Sequence, residues 1–170
     1  MKSLRLWLFA LSVVLLVSCA TRPPQALHDH KEMIQRYFDR WANHGDTAVA
    51  DELMASDLVL SNPPAVLRSL AEYKASMSKF HAAFPDLRFT VDELVAERDL
   101  VVARWTLRAT QQGDYAGHDA SGKSMTIGGV STFRITGGKI RDIHVSMDRL
   151  GMQHQLGWLP AATPASEPSK

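Results

Sequence analysis

Apolar residues recur at helical spacing near the start of the chain's main body. One face of a helix over residues 29–44 carries Met33, Ile34, Tyr37, Phe38 and Trp41. Gly45 follows directly and is a suitable stop, because glycine favours the left-handed conformation that ends many helices. The spacing therefore predicts a first helix that ends at about residue 44 and buries an aromatic face.

Two further helices are predicted before Pro85. Asp46 can cap a short helix that runs to about residue 54, and Ser69 can cap a longer one over residues 69–83. The second of these must end before Pro85, since the residue before a proline is steered away from helical geometry. A short strand is predicted at residues 58–60, where it is ended by Asn62-Pro63-Pro64.

After Pro85 the apolar period changes from that of a helix to that of a strand. Long segments rich in Val, Ile, Thr and aromatic residues cover residues 87–96, 100–110, 124–135 and 139–147. Because most of their links are short, we expect antiparallel neighbours. Gly128-Gly129 inside the third segment predicts a bulge or bend. The order of elements indicates an α+β fold, with three N-terminal helices packed on a curved antiparallel sheet.

The first 18 residues have the organisation of an export signal. Lys2 and Arg5 precede an uncharged apolar run at residues 6–17, which is shorter than the ~20 residues of a membrane-spanning helix. The run leads into Leu16-Val17-Ser18-Cys19, which resembles the bacterial lipobox, whose cysteine is diacylated and becomes the new N-terminus. An ordinary secretory signal or an uncleaved anchor is the alternative.

These features predict a lipid-anchored envelope protein with four segments. We expect a signal peptide at residues 1–18, a tether at 19–27, one domain at 28–160 and a disordered tail at 161–170. Acyl chains on Cys19 would hold the protein on the membrane. Ala20, rather than Asp, follows the cysteine, and in signals of this kind that implies onward transfer to the outer membrane, facing the periplasm.

Charge and cysteine content exclude some functions. Two of the 19 Lys and Arg residues and none of the 18 Asp and Glu residues lie in residues 1–18, so the remaining chain has 17 basic and 18 acidic residues. This balance lacks the basic surface that nucleic-acid binding requires. With the single cysteine acylated, no disulfide can form within one chain. His28-Asp29-His30 has no matching partner motif, so no metal site is predicted.

Several short motifs occur in a characteristic order. They are Ala83-Phe84-Pro85-Asp86-Leu87, Arg104-Trp105-Thr106, Gly113, Gly138-Lys139-Ile140, Asp148 and Gln155-Leu156-Gly157-Trp158-Leu159-Pro160. Together they resemble the SnoaL-like polyketide cyclases over most of residues 30–160. The resemblance implies a cone-shaped fold of the nuclear transport factor type around an apolar pocket. It also implies a small lipophilic ligand, no cofactor, and frequent homodimer formation through the outer face of the sheet.

The resemblance implies that Asp148 is the acid/base. In the cyclases an aspartate in the last strand removes a proton next to a carbonyl and returns one to the new alkoxide. Alternation places His144 and Asp148 on the same strand face, and His144 could polarise a ligand carbonyl if that face lines the cavity; the pattern leaves open which face is inward. Arg149 could instead pair with Asp148 in a surface salt bridge.

The remaining candidates are ligand contacts, and the chain departs from the family at three places. Candidate substrate-binding residues are Tyr37, Trp41, Trp105, Gln111 and Met125, with core packing the alternative for the apolar ones. Gln111 replaces a frequent histidine, Ser61 replaces another, and His144 replaces a frequent tryptophan. Two functions remain open: an acid/base isomerase or cyclase of a small lipophilic carbonyl compound, and a non-catalytic ligand-binding or interaction lipoprotein.

Overall fold

A computed structural model describes residues 24–159 of the 170-residue chain. The predicted signal peptide, Cys19, the start of the tether and the predicted disordered tail lie outside these residues. Within residues 24–159, no helix combines the length and the apolar character needed to cross a bilayer.

The three predicted N-terminal helices are confirmed. They are α1 (Pro24–Arg36), which continues as a π-helix (Tyr37–Ala42), α2 (Thr47–Leu53) and α3 (Leu70–Ala83). The predicted caps form as well: Asp46 accepts a hydrogen bond from the Val49 backbone N–H, and Ser69 accepts one from that of Glu72. Each cap satisfies a backbone donor that has no partner inside its helix.

The boundary between tether and domain differs from the prediction. Helix α1 begins at Pro24, so residues 24–27 belong to the helix and not to an extended spacer. The paired prolines indicated a spacer because proline breaks helix interiors. At the first helical position, however, the missing N–H is not needed and the fixed φ angle suits the helix.

A single six-stranded sheet forms the other half of the α+β fold. Its strands are β1 (Met54–Asn62), β2 (Ala65–Leu67), β3 (Arg88–Glu97), β4 (Leu100–Thr110), β5 (Ser124–Thr136) and β6 (Lys139–Met147). The curved, unclosed sheet has the order β2-β1-β6-β5-β4-β3. All neighbours are antiparallel except β1 and β6, which run parallel. The four long strands and their antiparallel pairing are confirmed.

Two elements were not predicted. The short strand β2 pairs with the far end of β1, and helix α4 (Arg149–Leu156) follows β6. Asp148 caps α4, and Gly157 ends it in the left-handed conformation, with φ of 77°. The helix is only eight residues long, which gives little periodicity to recognise.

The buried face of the sheet packs on the helices. Every second residue of β4 from Val101 to Ala109 is buried, and in β5 Phe133 is fully buried. The Tyr37 ring of the π-helix lies 5.0 Å from that of Phe133, and Phe38 meets Phe89 of β3 at 5.9 Å. One apolar core therefore fills the space between the helices and the sheet.

A bulge or bend was predicted at Gly128 and Gly129, and no bulge forms there. Both pair with β4 without a change of register, whereas the sheet's irregularities lie between Met54 and Val59, between Val91 and Glu93, and between Arg134 and Ile135. Of the two positions, only that of Gly129 has no room for a larger side chain. A Cβ on Gly129 would lie 2.3 Å from the Trp105 ring, but one on Gly128 would meet its nearest atom at 4.0 Å.

We predict that Gly129→Ala destabilises the protein by about 1–3 kcal/mol, because the buried indole must move to admit the methyl group. Gly128→Ala is the matched control and should change the free energy of unfolding by less than about 0.5 kcal/mol. Urea denaturation of both variants measures the difference. Equal stability of the two variants would contradict this account of the Trp105 contact.

Candidate functional site

Strand β6 turns its polar side outward. Ile143 is buried, whereas His144, Ser146 and Asp148 are exposed. The alternation that placed His144 and Asp148 on one face is therefore correct, and that face is the outer one. Four strand positions separate them by about 13 Å, and each side chain lines a different groove.

The larger groove, here called the Asp148 groove, has a volume of about 350 Å³. It lies where β3, β4, β5 and β6 pass side by side at the end of β6. Its lining comprises Asp92, Arg104, Trp105, Thr106, Gly128, Gly129, Val130, Ser146, Met147 and Asp148. The structure thus brings two of the predicted site residues, Asp148 and Trp105, into one concave surface.

The Asp148 carboxylate is held in place by the start of α4. Its Oδ1 accepts a hydrogen bond from the Gly151 backbone N–H at 2.7 Å, and its own backbone N–H donates to Gly128 O at 3.1 Å. Its Oδ2 accepts no hydrogen bond from any residue in the described range 24–159. A Cβ on Gly151 would lie 2.0 Å from Oδ2, so glycine keeps this oxygen accessible.

The groove's other charges are paired with one another. Arg104 contacts Asp92 at 3.3 Å and Glu93 at 3.5 Å, and the Thr106 hydroxyl donates to Asp92 at 3.0 Å. Arg149 does not form the salt bridge considered from the sequence, because its guanidinium donates to Asn62 Oδ1 at 2.6 Å and Asn62 O at 3.1 Å. Among residues 24–159, no basic side chain forms a salt bridge with Asp148.

His144 lines a separate groove of about 230 Å³. Neighbours there include Ser61, Thr132, Arg134 and Asp142, and Arg134 is paired with Asp99 at 2.8 Å. The exposed imidazole lies in neither the core nor the Asp148 groove. His144 and Asp148 therefore do not line one enclosed cavity, because the polar face of β6 is turned outward.

Four of the predicted ligand contacts lie in the core. Tyr37, Trp41, Trp105 and Met125 are 5%, 2%, 3% and 2% exposed, respectively. Trp105 also lines the Asp148 groove, and its Nε1–H donates to the buried Ser131 Oγ at 2.9 Å, which fixes the indole. The other three pack inside the cone, away from both grooves.

Gln111 is fully buried and holds a loop in place. Its Nε2 lies within 3.4 Å of the backbone carbonyls of Gly113, His118 and Asp119, and its Oε1 accepts a hydrogen bond from Trp158 Nε1 at 3.2 Å. Trp158 in turn stacks on His118 at 4.3 Å. The amide that was predicted to meet a ligand is therefore engaged by the protein itself, and ligand binding there would require the loop to open.

Tyr73 of α3 is a polar core residue that sequence reasoning missed. Its hydroxyl hydrogen-bonds with that of Tyr37 in the buried core. Tyr73 follows Leu70 at i+3 and precedes Met77 at i+4, so its place on an apolar helix face could be recognised from the sequence. Its partner Tyr37, 36 residues earlier in the chain, could not be identified from the sequence, because the packing of the helices sets that contact.

Residues 24–159 contain no group of three or more His, Cys, Asp or Glu side chains placed to hold a metal ion.

Comparison with known proteins identifies close structural relatives. The family model for SnoaL-like polyketide cyclases matches residues 31–156. TsrD from Streptomyces laurentii is 29% identical with a TM-score of 0.71, over 78% of this chain and 97% of that one. AclR from Streptomyces galilaeus, a candidate hydroxylase, is 26% identical with a TM-score of 0.70, over 79% and 99%.

A third solved structure is similar in the same way. IdmH from Streptomyces antibioticus, a candidate polyketide cyclase, is 26% identical with a TM-score of 0.66, over 75% of this chain and 97% of that one. No curated protein matches the chain significantly.

We predict that Gln111→Leu destabilises the protein by at least about 2 kcal/mol, because it leaves the Trp158 N–H and the loop carbonyls without their partner. Gln112→Leu, at the exposed neighbouring position, is the control and should change stability little. Chemical denaturation gives the free energies, and hydrogen exchange should show faster opening of residues 112–122 only in the first variant. An unchanged exchange rate there would contradict the loop-holding role.

Proposed function

Because this chain belongs to the SnoaL-like polyketide cyclase family, we propose that it is a membrane-anchored acid/base isomerase or cyclase of a small lipophilic carbonyl compound, with Asp148 as the reacting carboxylate. The fold itself indicates a small-molecule isomerase or cyclase. The observation that supports the assignment of Asp148 is the Asp148 groove, which combines an accessible carboxylate oxygen with apolar surface from Val130 and Met147.

The proposed reaction uses the free oxygen of Asp148. Oδ2 takes a proton from the carbon next to the ligand's carbonyl, which forms an enolate. In an isomerisation the proton returns at another carbon. In a ring closure the enolate carbon attacks a second carbonyl of the same molecule, and the proton passes from Asp148 to the new alkoxide. Neither reaction changes the oxidation state of the system, so no electron acceptor is needed.

The walls of the groove suit a lipophilic ligand. Val130 and Met147 contribute apolar surface beside Asp148, together with the small exposed part of Trp105. Val130 is 39% exposed, so it can be covered by a ligand with a gain in buried apolar area. Oδ1 stays bonded to the Gly151 N–H while Oδ2 reacts, which keeps the carboxylate oriented throughout.

The proposed location rests on the N-terminal sequence. Acylation of Cys19 would tether the domain to the outer membrane on its periplasmic side, so that it meets ligands that partition into lipid. The tether proposed from the sequence would be short, because helix α1 already begins at Pro24. A substrate drawn from the envelope therefore fits this protein better than an intermediate confined to the cytoplasm.

A second candidate function is favoured by the exposure of the polar face. His144 and Asp148 are both open to solvent, and Val66, Val95 and Val130 are exposed at 45%, 54% and 39%. A non-catalytic ligand-binding or interaction lipoprotein, including one that forms a homodimer through this face, would need no reacting carboxylate. Native mass spectrometry of the purified protein separates the cases: a stoichiometric ligand that survives gel filtration favours this candidate.

We predict that Asp148→Asn lowers catalysed proton exchange at least about 100-fold, the contribution expected of a positioned general base. The assay follows deuterium entry at the α-carbons of a panel of medium-chain β-keto esters in D₂O by NMR, corrected for the spontaneous rate. The variant should fold normally, since asparagine is as good a helix cap as aspartate.

Asp142→Asn is the matched control for this experiment, because Asp142 is an exposed carboxylate of β6 that lies outside the Asp148 groove. It should exchange protons at the rate of the unchanged protein. Full activity of Asp148→Asn would rule out the proposed base, whatever the substrate.

We predict that Cys19→Ala releases the protein from the membrane fraction and abolishes incorporation of a labelled fatty acid. Several acyl chains together hold a protein stably on a membrane, and the substitution removes their only attachment point. Ser18→Ala, which keeps a small residue before the cysteine, should remain labelled and membrane-bound. Fractionation with radiolabelled palmitate measures both, and an unlabelled wild-type protein would contradict the anchor.

A further inference from the structure

The second groove on the outer side of the sheet carries side chains that the proposed reaction does not use. This groove, here called the His144 groove, has a volume of about 230 Å³ and lies over parts of β1, β6, β5 and the start of β4. Its lining comprises Val59, Ser61, Leu100, Thr132, Arg134, Asp142, Ile143 and His144. None of these residues lines the Asp148 groove. Chemistry in the His144 groove is therefore independent of the proposed base.

The register of the sheet places the imidazole of His144 between two hydroxyl groups. Ser61 of β1 is the Cα partner of His144 in the parallel pair β1–β6, and Thr132 of β5 is its partner in the antiparallel pair β5–β6. All three side chains line the groove. Neighbouring strands lie about 4.8 Å apart, so a rotation of the His144 side chain brings a ring nitrogen within hydrogen-bond distance of Ser61 Oγ.

The serine and the histidine are not engaged by other parts of the protein. Two other polar side chains of the sheet are: the hydroxyl of Ser131 accepts a hydrogen bond from Trp105, and that of Thr106 donates to Asp92. Within residues 24–159, by contrast, neither Ser61 Oγ nor the His144 ring hydrogen-bonds to another residue. A hydroxyl beside an available imidazole is the pair that forms an activated nucleophile and its base.

Both residues lie on strands that have a neighbour on each side. Strand β1 pairs with β2 and β6, so the backbone of Ser61 is fixed between those of Val66 and His144. Strand β6 is fixed in the same way between β1 and β5. Side chains on paired strands hold a geometry more precisely than side chains on loops. Ser61 is half-buried in the groove, whereas the His144 ring is exposed to an incoming molecule.

The remaining lining indicates which molecules fit. Val59 and Leu100 are half-buried and supply apolar surface. Asp142 lines the groove as well, and Arg134 is paired with Asp99 at 2.8 Å. Two carboxylates thus stand against one guanidinium, which disfavours an anionic ligand. A small neutral ester, with an apolar acyl group, suits this combination of charge and surface.

We propose that Ser61 is a nucleophile with His144 as its general base, and that the pair transfers the acyl group of small neutral esters to water. Ser61 Oγ bonds to the ester carbonyl carbon while His144 takes the hydroxyl proton. The bond to the leaving alcohol then breaks, and that alcohol departs with the proton from His144. Water attacks the acyl-serine with His144 again as base, the proton returns to Ser61, and the carboxylic acid is released. Only an acyl group and protons move, so no oxidation state changes.

Labelling of the full chain with a fluorophosphonate probe tests this nucleophile. The serine oxygen would displace fluoride from phosphorus, with the hydroxyl proton passing to His144. We expect the adduct on Ser61, located by peptide mass spectrometry, and none in Ser61→Ala. The labelling rate should be at least about tenfold lower in His144→Gln, because a positioned general base accelerates such a step. His144 is exposed, so this substitution should leave the fold unchanged.

Ser146→Ala is the matched control. Ser146 is an exposed serine on the same side of β6, but its Cα partner in β5 is Val130, so it has no histidine opposite. This variant should be labelled at the rate of the unchanged protein. Hydrolysis of p-nitrophenyl butyrate gives a second measurement and should fall to the uncatalysed rate in Ser61→Ala. A wild-type protein without an adduct on Ser61, or equal labelling of His144→Gln, would overturn the proposal.

Discussion

The packing of the π-helix on the inner face of the sheet determines where everything else lies. Tyr37 and Phe38 contact Phe133 of β5, and Phe38 also contacts Phe89 of β3. This packing places the buried residues of β4 and Ile143 of β6 against the core. Because successive strand residues point to opposite sides, the outer side carries His144 and, just beyond the end of β6, Asp148. The outward position of the candidate acid/base is thus a consequence of the helix packing.

The fold could be predicted from the sequence where a pattern of apolar residues is long, and not where an element is short or depends on a tertiary contact. Strands β4 and β6 have the predicted bounds. The buried positions of β4 alternate without interruption, whereas in β6 the buried Ile140 and Ile143 lie three positions apart, where β5 and β6 change register. Helix α4 was missed because eight residues give too short a pattern of apolar positions. Strand β2 was missed because its three residues are too few to show any alternation. The glycine pair was predicted to mark a bulge or bend and forms no bulge, since nothing in the sequence shows that the Trp105 ring covers Gly129.

The site was harder to predict than the fold, for a related reason. Periodicity indicates that a residue is buried, but the partner of a buried polar group is set by tertiary packing. The side chain of Gln111 is of a kind that can contact a ligand, yet its amide hydrogen-bonds to three loop carbonyls and to Trp158. Tyr73 looks like an ordinary core tyrosine until its hydroxyl is found against that of Tyr37. The family resemblance singled out Asp148, and the structure adds the geometry that leaves its Oδ2 accessible.

The Asp148 groove, on the outer side of the sheet, is the proposed place of proton transfer, with Asp148 as the reacting group. A crystal structure of the protein with a bound, slowly exchanging β-keto ester analogue tests this most directly. We predict that the analogue's α-carbon lies within about 3.5 Å of Asp148 Oδ2, the separation of a productive proton transfer. An analogue bound only elsewhere, with the Asp148 groove holding none, would contradict the claim.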